Sequence, residues 1–304
     1  MDYILETQNL TKCFGKHEAV KNVNIHIQKG DIYGLIGKNG AGKTTIMRML
    51  SGLENPSSGS FSFCGYTGNQ ISKVKNKIGI LIEEPGLFPD MNAADNLKYF
   101  LTMVGKYKKS QVDNLLNLAG LSTAGNAKVK YFSLGMKQRL GIAVALTGDP
   151  ELLMLDEPIN GLDPQGIVQF RDTIMRLNKE KNITILISSH ILEELSKITN
   201  YYGIIHNGQI LTELSKNELM KKCNECIEIR TDDTYKAIKI LKSNGISTYK
   251  IIDQKIINVF GMSDKSGEIN TSLVKNGITV NEICIRNESL ENFYLNLTGG
   301  TQNV

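Results

Sequence analysis

Missing from this sequence is any uninterrupted apolar run near the ~18 residues that a bilayer-spanning helix needs, so a membrane link is expected to come through a partner. The first residues, Met1-Asp2-Tyr3-Ile4-Leu5-Glu6, lack the basic stretch and apolar core of a secretory leader, and none is expected. Dense Lys/Arg blocks are absent too. The net charge of +4 is spread along the chain, which speaks against a nucleic-acid partner. Cysteine is scarce and odd in number: Cys13, Cys64, Cys223, Cys226 and Cys284. Without a leader, that set fits reduced thiols in the cytoplasm. Cys223-Asn224-Glu225-Cys226 is a lone C-x-x-C with no second pair and no nearby His. Two incidental thiols at a helix end are preferred there over a zinc or redox site.

What is present is an ordinary globular composition, 41 % hydrophobic and 22 % charged over 304 residues. That length suits about two domains. Residues 37 to 44 read Gly37-Lys38-Asn39-Gly40-Ala41-Gly42-Lys43-Thr44, a complete phosphate-binding loop. Apolar Ile32 to Ile36 before it reads as a buried strand, and Thr45 to Leu50 after it as the first turns of a helix. The glycines let backbone N–H groups turn onto a polyphosphate, and the helix adds its positive end. Lys43 is expected on the β- and γ-phosphates, and the Thr44 hydroxyl on Mg²⁺. Thr45 completes the set that would line a nucleoside triphosphate.

A second element, Leu152-Leu153-Met154-Leu155-Asp156-Glu157-Pro158, is an apolar strand that ends in two acids. It puts Asp156 beside the Mg²⁺ shell and Glu157 where a water can be activated against the γ-phosphate.

The first two thirds alternate strands and helices. Ile4 to Leu10 and Val23 to Ile27 read as strands, Leu53 to Ser60 as a turn-rich connection, and Ile78 to Ile82 as a buried strand. Residues 93 to 147 carry helical periodicity almost throughout. Strands resume at Leu152 to Leu155 and Thr184 to Ile187, around a helix starting near Pro164. A parallel sheet interrupted by a helical insertion (about 92–147) follows. Past a capping box at Ser215-Lys216-Asn217-Glu218 the pattern becomes strand 227–230, helix 234–244, strands 248–252 and 255–260, helix 266–275 and strand 279–285. That order is a split βαβ, ferredoxin-like α+β arrangement, with a last helix opening at Ser289. The division is therefore 1–214 and an accessory domain at 215–304.

Phe132-Ser133-Leu134-Gly135-Met136-Lys137-Gln138-Arg139-Leu140, shortly before the second strand, resembles the signature motif of ABC transporter ATPases, usually Leu-Ser-Gly-Gly-Gln. Asn160-Gly161-Leu162-Asp163-Pro164 matches the family's D-loop, and Ser188-Ser189-His190 its switch histidine. Phe14 stands at the place of the aromatic that stacks on adenine. The resemblance covers residues 1 to about 212. It implies a P-loop NTPase fold of the α/β class, a mixed sheet with a helical subdomain, and ATP with Mg²⁺ as cofactors. It also implies His190 on the γ-phosphate, and Ser133 with Gly135 facing the ATP of a second copy in a homodimer.

Two departures mark the chain. Leu134 and Met136 replace the usual Gly and Gln of the signature. Where most members carry a glutamine that ligands Mg²⁺, the strand ends Leu81-Ile82-Glu83-Glu84-Pro85. Counting back from Pro85 puts Glu83 at that place, with Glu84 as the alternative; a carboxylate ligands Mg²⁺ at least as well as an amide. These features are similar to the bacitracin and lantibiotic exporter subgroup. That likeness implies export of an antimicrobial peptide through separate integral-membrane permease subunits, and a place on the cytoplasmic face of the cell membrane. The competing expectations are a peptide-sensing membrane complex and a soluble ABC ATPase acting on ribosomes or DNA.

Overall fold

Strands that are apolar on both faces form a buried parallel sheet, because only there can both faces be covered. The computed structural model describes residues 3–222, 225–287 and 290–298. Cys223 of the C-x-x-C and Ser289 lie outside them. The chain divides into two compact units, Met1–Lys216 and Asn217–Val304.

The first unit holds β1 (Tyr3–Phe14), β2 (His17–Val23), β3 (His26–Gln28), β4 (Ile32–Ile36), β5 (Ser58–Phe63), β6 (Tyr66–Thr67), β7 (Ile78–Leu81), β8 (Leu152–Leu155), β9 (Thr184–Ser189), β10 (Tyr201–His206) and β11 (Gln209–Ser215). Its helices are α1 (Lys43–Leu50), α2 (Ala93–Met103), α3 (Lys109–Leu118), α4 (Leu134–Ala145), α5 (Pro164–Lys181) and α6 (Leu192–Ser196). The main sheet runs β11-β10-β4-β9-β8-β7, parallel except for the antiparallel edge pair β10–β11. Every residue of β4, β8 and β9 is buried. A second, antiparallel sheet runs β2-β1-β5-β6, with β3 also on β1. Helix α1 is packed between them: Ile46, Met47, Met49 and Leu50 share one core with Leu5 and Leu10 of the small sheet and Leu35 and Met154 of the large one.

The expected strand over Val23 to Ile27 is two strands, with a break at Asn24-Ile25. Side chains replace the ladder there: Ile25 N–H donates to Thr7 Oγ1 (2.8 Å), and Asn9 N–H donates to Asn24 Oδ1 (2.8 Å). Between β7 and β8 the regular structure is helical, joined by short 3₁₀ turns. Two arginines hold this insertion together at the C-terminal end of α3, where free carbonyls attract cations. Arg139 Nη1 donates to the carbonyls of Ala119 (3.2 Å) and Gly120 (3.0 Å). Arg176 Nη2 reaches Asn117 O and Leu118 O. Burial pushes the Arg139 guanidinium below its ordinary pKa.

At the unit boundary α7 (Lys216–Lys222) begins. The second unit holds β12 (Glu225–Thr231), α8 (Thr234–Ser243), β13 (Tyr249–Ile251), β14 (Ile256–Phe260), α9 (Ser266–Lys275), β15 (Val280–Asn287) and α10 (Leu290–Leu297). Its sheet order is β13-β14-β12-β15, antiparallel throughout. Ile227, Ile229, Ile257 and Val259 point to one face and share a core with Ala237, Leu241, Ile269 and Leu273 of α8 and α9. On the other face Glu228 is ion-paired with Arg230 (3.3 Å) and Arg286 (3.1 Å).

Candidate functional site

The loop after β4 closes tightly because two of its glycines have no substitute. A Cβ on Gly37 would lie 2.6 Å from Ile205 O, and Gly42 combines a φ of 107° with Ala19 O at 2.8 Å from its virtual Cβ. Gly42 caps α1, so the helix presents its free N–H groups to the loop mouth. Lys38, Asn39 and Gly40 form the exposed apex, while Ala41 and Lys43 are buried and Thr44 and Thr45 half-buried. Gly208, in the turn between β10 and β11, braces the loop: its N–H donates to Ala41 O (3.0 Å) and its carbonyl accepts from Lys21 N–H (2.7 Å).

Lys43 is a cation with 4 % of its side chain exposed, and such burial requires partners. Nζ donates to the carbonyls of Gly37 (2.7 Å) and Lys38 (3.1 Å) and lies 3.0 Å from Glu157 Oε1. That carboxylate oxygen accepts no other hydrogen bond, so the ion pair is what compensates its burial. Glu157 Oε2 lies 2.8 Å from His190 Nδ1. A carboxylate only accepts, so Nδ1 carries the hydrogen. Glu157 itself has a φ of 47°, a left-handed conformation that costs roughly 1 kcal/mol for a residue with a Cβ.

Beside it, Thr44 Oγ1 donates to Asp156 Oδ2 at 2.7 Å. Asp156 is 9 % exposed. The hydroxyl of Ser188 joins the two acids, donating to Asp156 Oδ1 (2.5 Å) and accepting from Glu157 N–H (2.9 Å). Parallel register puts all of this at one edge of the sheet. Leu155 pairs with Ile187 and Ile36 with Ser189, so the loop, the two acids and His190 leave three adjacent strands at the same end.

Four of the predicted residues stand apart from this group. Glu83, also left-handed at φ 66°, is ion-paired with Arg48 Nη2 at 3.0 Å, one helical turn past Thr44 on α1. Ser133 caps α4, its Oγ accepting from Met136 N–H (3.3 Å), and Gly135 O accepts from Arg139 Nε (3.4 Å). None of the hydrogen bonds of Ser133 or Gly135 reaches the phosphate loop. Phe14 ends β1 with its side chain half exposed and Lys12 Nζ 5.1 Å from the ring centroid. Ser188 and Arg48 belong to the site but were not predicted. Ser188 was visible only as a neighbour of His190, and Arg48 gave no signal beyond a basic residue in a helix.

A model of the family described as ABC transporter matches residues 20–160. Over its length the chain is 42 % identical to the bacitracin transport ATP-binding protein BcrA of Bacillus licheniformis, across 99 % of both chains. This chain belongs to the ABC transporter ATP-binding proteins. It is an ATPase subunit of that family. It is also 48 % identical to the lantibiotic transport ATP-binding protein SrtF of Streptococcus pyogenes, over 69 % of this chain and 90 % of that protein. Among solved structures, cbiO1 of Clostridium perfringens, part of the ABC transporter complex cbiONQ, superposes with a TM-score of 0.66. That match has 27 % identity and covers 73 % of this chain and 92 % of that one. ABC ATPase subunits dimerise and work with membrane permeases, and no helix among the described residues of this one is long and apolar enough to cross a membrane.

Proposed function

We propose that this ABC ATPase powers export of an antimicrobial peptide of the bacitracin or lantibiotic type through separate permease chains, from the cytoplasmic face of the cell membrane. The supporting observation is the match to the bacitracin transport protein across 99 % of both chains, which extends through residues 215–304, the stretch we assign to an accessory domain. ATP binds with its phosphates in the Gly37–Thr45 loop and its adenine on Phe14. The phosphates compete for Lys43, and the Lys43–Glu157 ion pair is exchanged for a Lys43–phosphate pair. Glu157 is thereby released as general base for the attacking water. His190 Nδ1–H keeps the freed carboxylate in place, and Nε2 reaches the γ-phosphate as a donor when the ring is imidazolium.

Mg²⁺ suits the oxygen set present. The hydroxyl of Thr44 and the carboxylate of Asp156 are hard donors 2.7 Å apart, and Mg²⁺ is held by one or two carboxylates together with substrate phosphates and water. Thr44 and Asp156 would hold the ion, with Glu83 as a third ligand. When bound, it neutralises charge on the β- and γ-oxygens. Ser133 and Gly135 of a second copy close the site from the opposite side.

The test is genetic and biochemical together. Removing the gene is expected to lower tolerance to one such peptide without changing the cell's transcriptional response to it, and the wild-type chain, but not Glu157→Gln, restores tolerance. Unchanged tolerance, or a lost transcriptional response with export intact, would sink the export reading. Copurification with a polytopic membrane protein in detergent checks the permease link.

A further inference from the structure

We infer that Ser188 is the positioning residue that sets Asp156 and Glu157 at once, so that the metal-holding acid and the water-activating acid are aligned by a single hydroxyl. The residue is fully buried at the end of β9. Its Oγ uses both capacities: the hydrogen goes to Asp156 Oδ1 at 2.5 Å, and a lone pair takes the Glu157 N–H at 2.9 Å. The first bond leaves Asp156 with its other oxygen toward Thr44 Oγ1, 2.7 Å away. The second anchors the peptide just where the backbone turns left-handed, at the Glu157 φ of 47°. A left-handed non-glycine residue persists only when its surroundings over-determine it, and this bond is one of the fixings. Each acid is thus held from two sides: Asp156 by Thr44 and Ser188, Glu157 by the Ser188 bond to its backbone and the Lys43 and His190 contacts to its side chain.

The position is chemically specific. Alanine leaves a carboxylate oxygen without its donor and a buried N–H without its acceptor, and unmade buried bonds to charged groups are the costly kind. Valine, close to threonine in shape, fails for the same reason. Threonine keeps the hydroxyl and adds one methyl.

The inference rests on the proposed roles of Asp156 and Glu157, and the experiment separates the two levels. Purified full-length Ser188→Ala, Ser188→Thr, Glu157→Gln and Thr184→Ala are compared. Thr184 is an equally buried hydroxyl at the far end of the same strand, accepting from Gly30 N–H at 3.0 Å. Phosphate release, binding of a fluorescent ATP analogue with and without Mg²⁺, and melting temperature are measured.

Ser188→Ala is expected to lose about tenfold or more in kcat, the scale of a lost bond to a charged group. Its metal-free nucleotide affinity should be unchanged, while the Mg²⁺ concentration needed for tight binding rises several-fold. Ser188→Thr recovers most of both, and Thr184→Ala shifts only the melting temperature. If Ser188→Ala keeps parental kcat and Mg²⁺ dependence while Glu157→Gln collapses, the inference fails and the site reading stands. If Glu157→Gln itself keeps its rate, the site reading falls first. Should Ser188→Ala merely melt lower and track Thr184→Ala in every other measurement, the role is structural and the inference is overturned.

Discussion

The sheet edge around the phosphate loop and the start of α4, the two regions proposed to meet a phosphate, are built in opposite ways. At the sheet edge Lys43, Thr44, Asp156, Glu157, Ser188 and His190 bond to one another, and the charges are compensated inside the chain. At α4 Ser133 is exposed and satisfies only its own helix, and Leu134 beside it is 45 % exposed. The first is a closed circuit that a ligand must enter by displacing a partner. The second is only partly open, with Ser133 and Leu134 exposed and Gly135 buried, and on the proposed reading its ligand is brought by a second copy. On the proposed reading the contrast suits a site shared between two copies, with chemistry held in one wall and recognition in the other.

Breaking the closed side has the largest expected effect. Glu157→Gln should bind ATP normally and turn over ~10²–10⁴-fold more slowly, the scale of a lost general base, as read by phosphate release and nucleotide binding. A fall of less than tenfold removes Glu157 from that role.

The open side is tested by mixing. Ser133→Arg alone should be as inactive as Glu157→Gln alone, but a mixture of the two should recover on the order of a quarter of the parental rate. Random pairing makes half the dimers mixed, and each has one complete site. Absence of recovery would show that the two walls do not meet across copies.

A smaller effect concerns the ion pair that keeps Glu83 apart from the circuit. Both partners are well exposed, with 46 % and 60 % of their side chains accessible, so the pair is worth ~0–1 kcal/mol. Arg48→Ala should therefore lower the Mg²⁺ requirement of ATP hydrolysis by about two- to fivefold, and adding Glu83→Gln should cancel the gain. If the Mg²⁺ titration does not move, Glu83 takes no part in holding the ion.

The smallest effect lies far from either wall. Lys77 (2.6 Å) and Lys29 (3.2 Å) hydrogen-bond Glu151 and hold its carboxyl below its ordinary value of 4.5. A depressed carboxyl stabilises the fold above the unfolded pKa, and that contribution disappears as pH falls through the folded one. Wild type should exceed Glu151→Gln by no more than about 1 kcal/mol near pH 7, and urea melts should show the difference vanishing in acid below pH ~4.

Much of the sheet edge was legible because its parts are local strings. Gly37 to Thr44, Asp156-Glu157 and His190 each follow a run of apolar residues that reads as a strand. Their meeting depends only on parallel strands ending together. Strands β10 and β11 and the short α6 were not read, though Tyr202, Ile204 and Ile205 are as buried as any core residue. With Tyr201-Tyr202-Gly203 at its start, β10 has no clean period. Ser188 and the Arg48–Glu83 pair were illegible for another reason. A serine in a strand and an arginine on a helix are common, and only register and a left-handed turn reveal what they touch.

The brace from Gly208 to Ala41 carries a last consequence. The loop is held at Ala41 by Gly208 and leaves no room for a side chain at Gly37 or Gly42, beside Ile205 and Ala19. A nucleotide arriving there loses little affinity to ordering the receptor. On the same argument, opening of this loop is not the expected route for the spent nucleotide. On the proposed reading, its way out is made by the opposite wall withdrawing, so the mechanical stroke and the emptying of the site are one event.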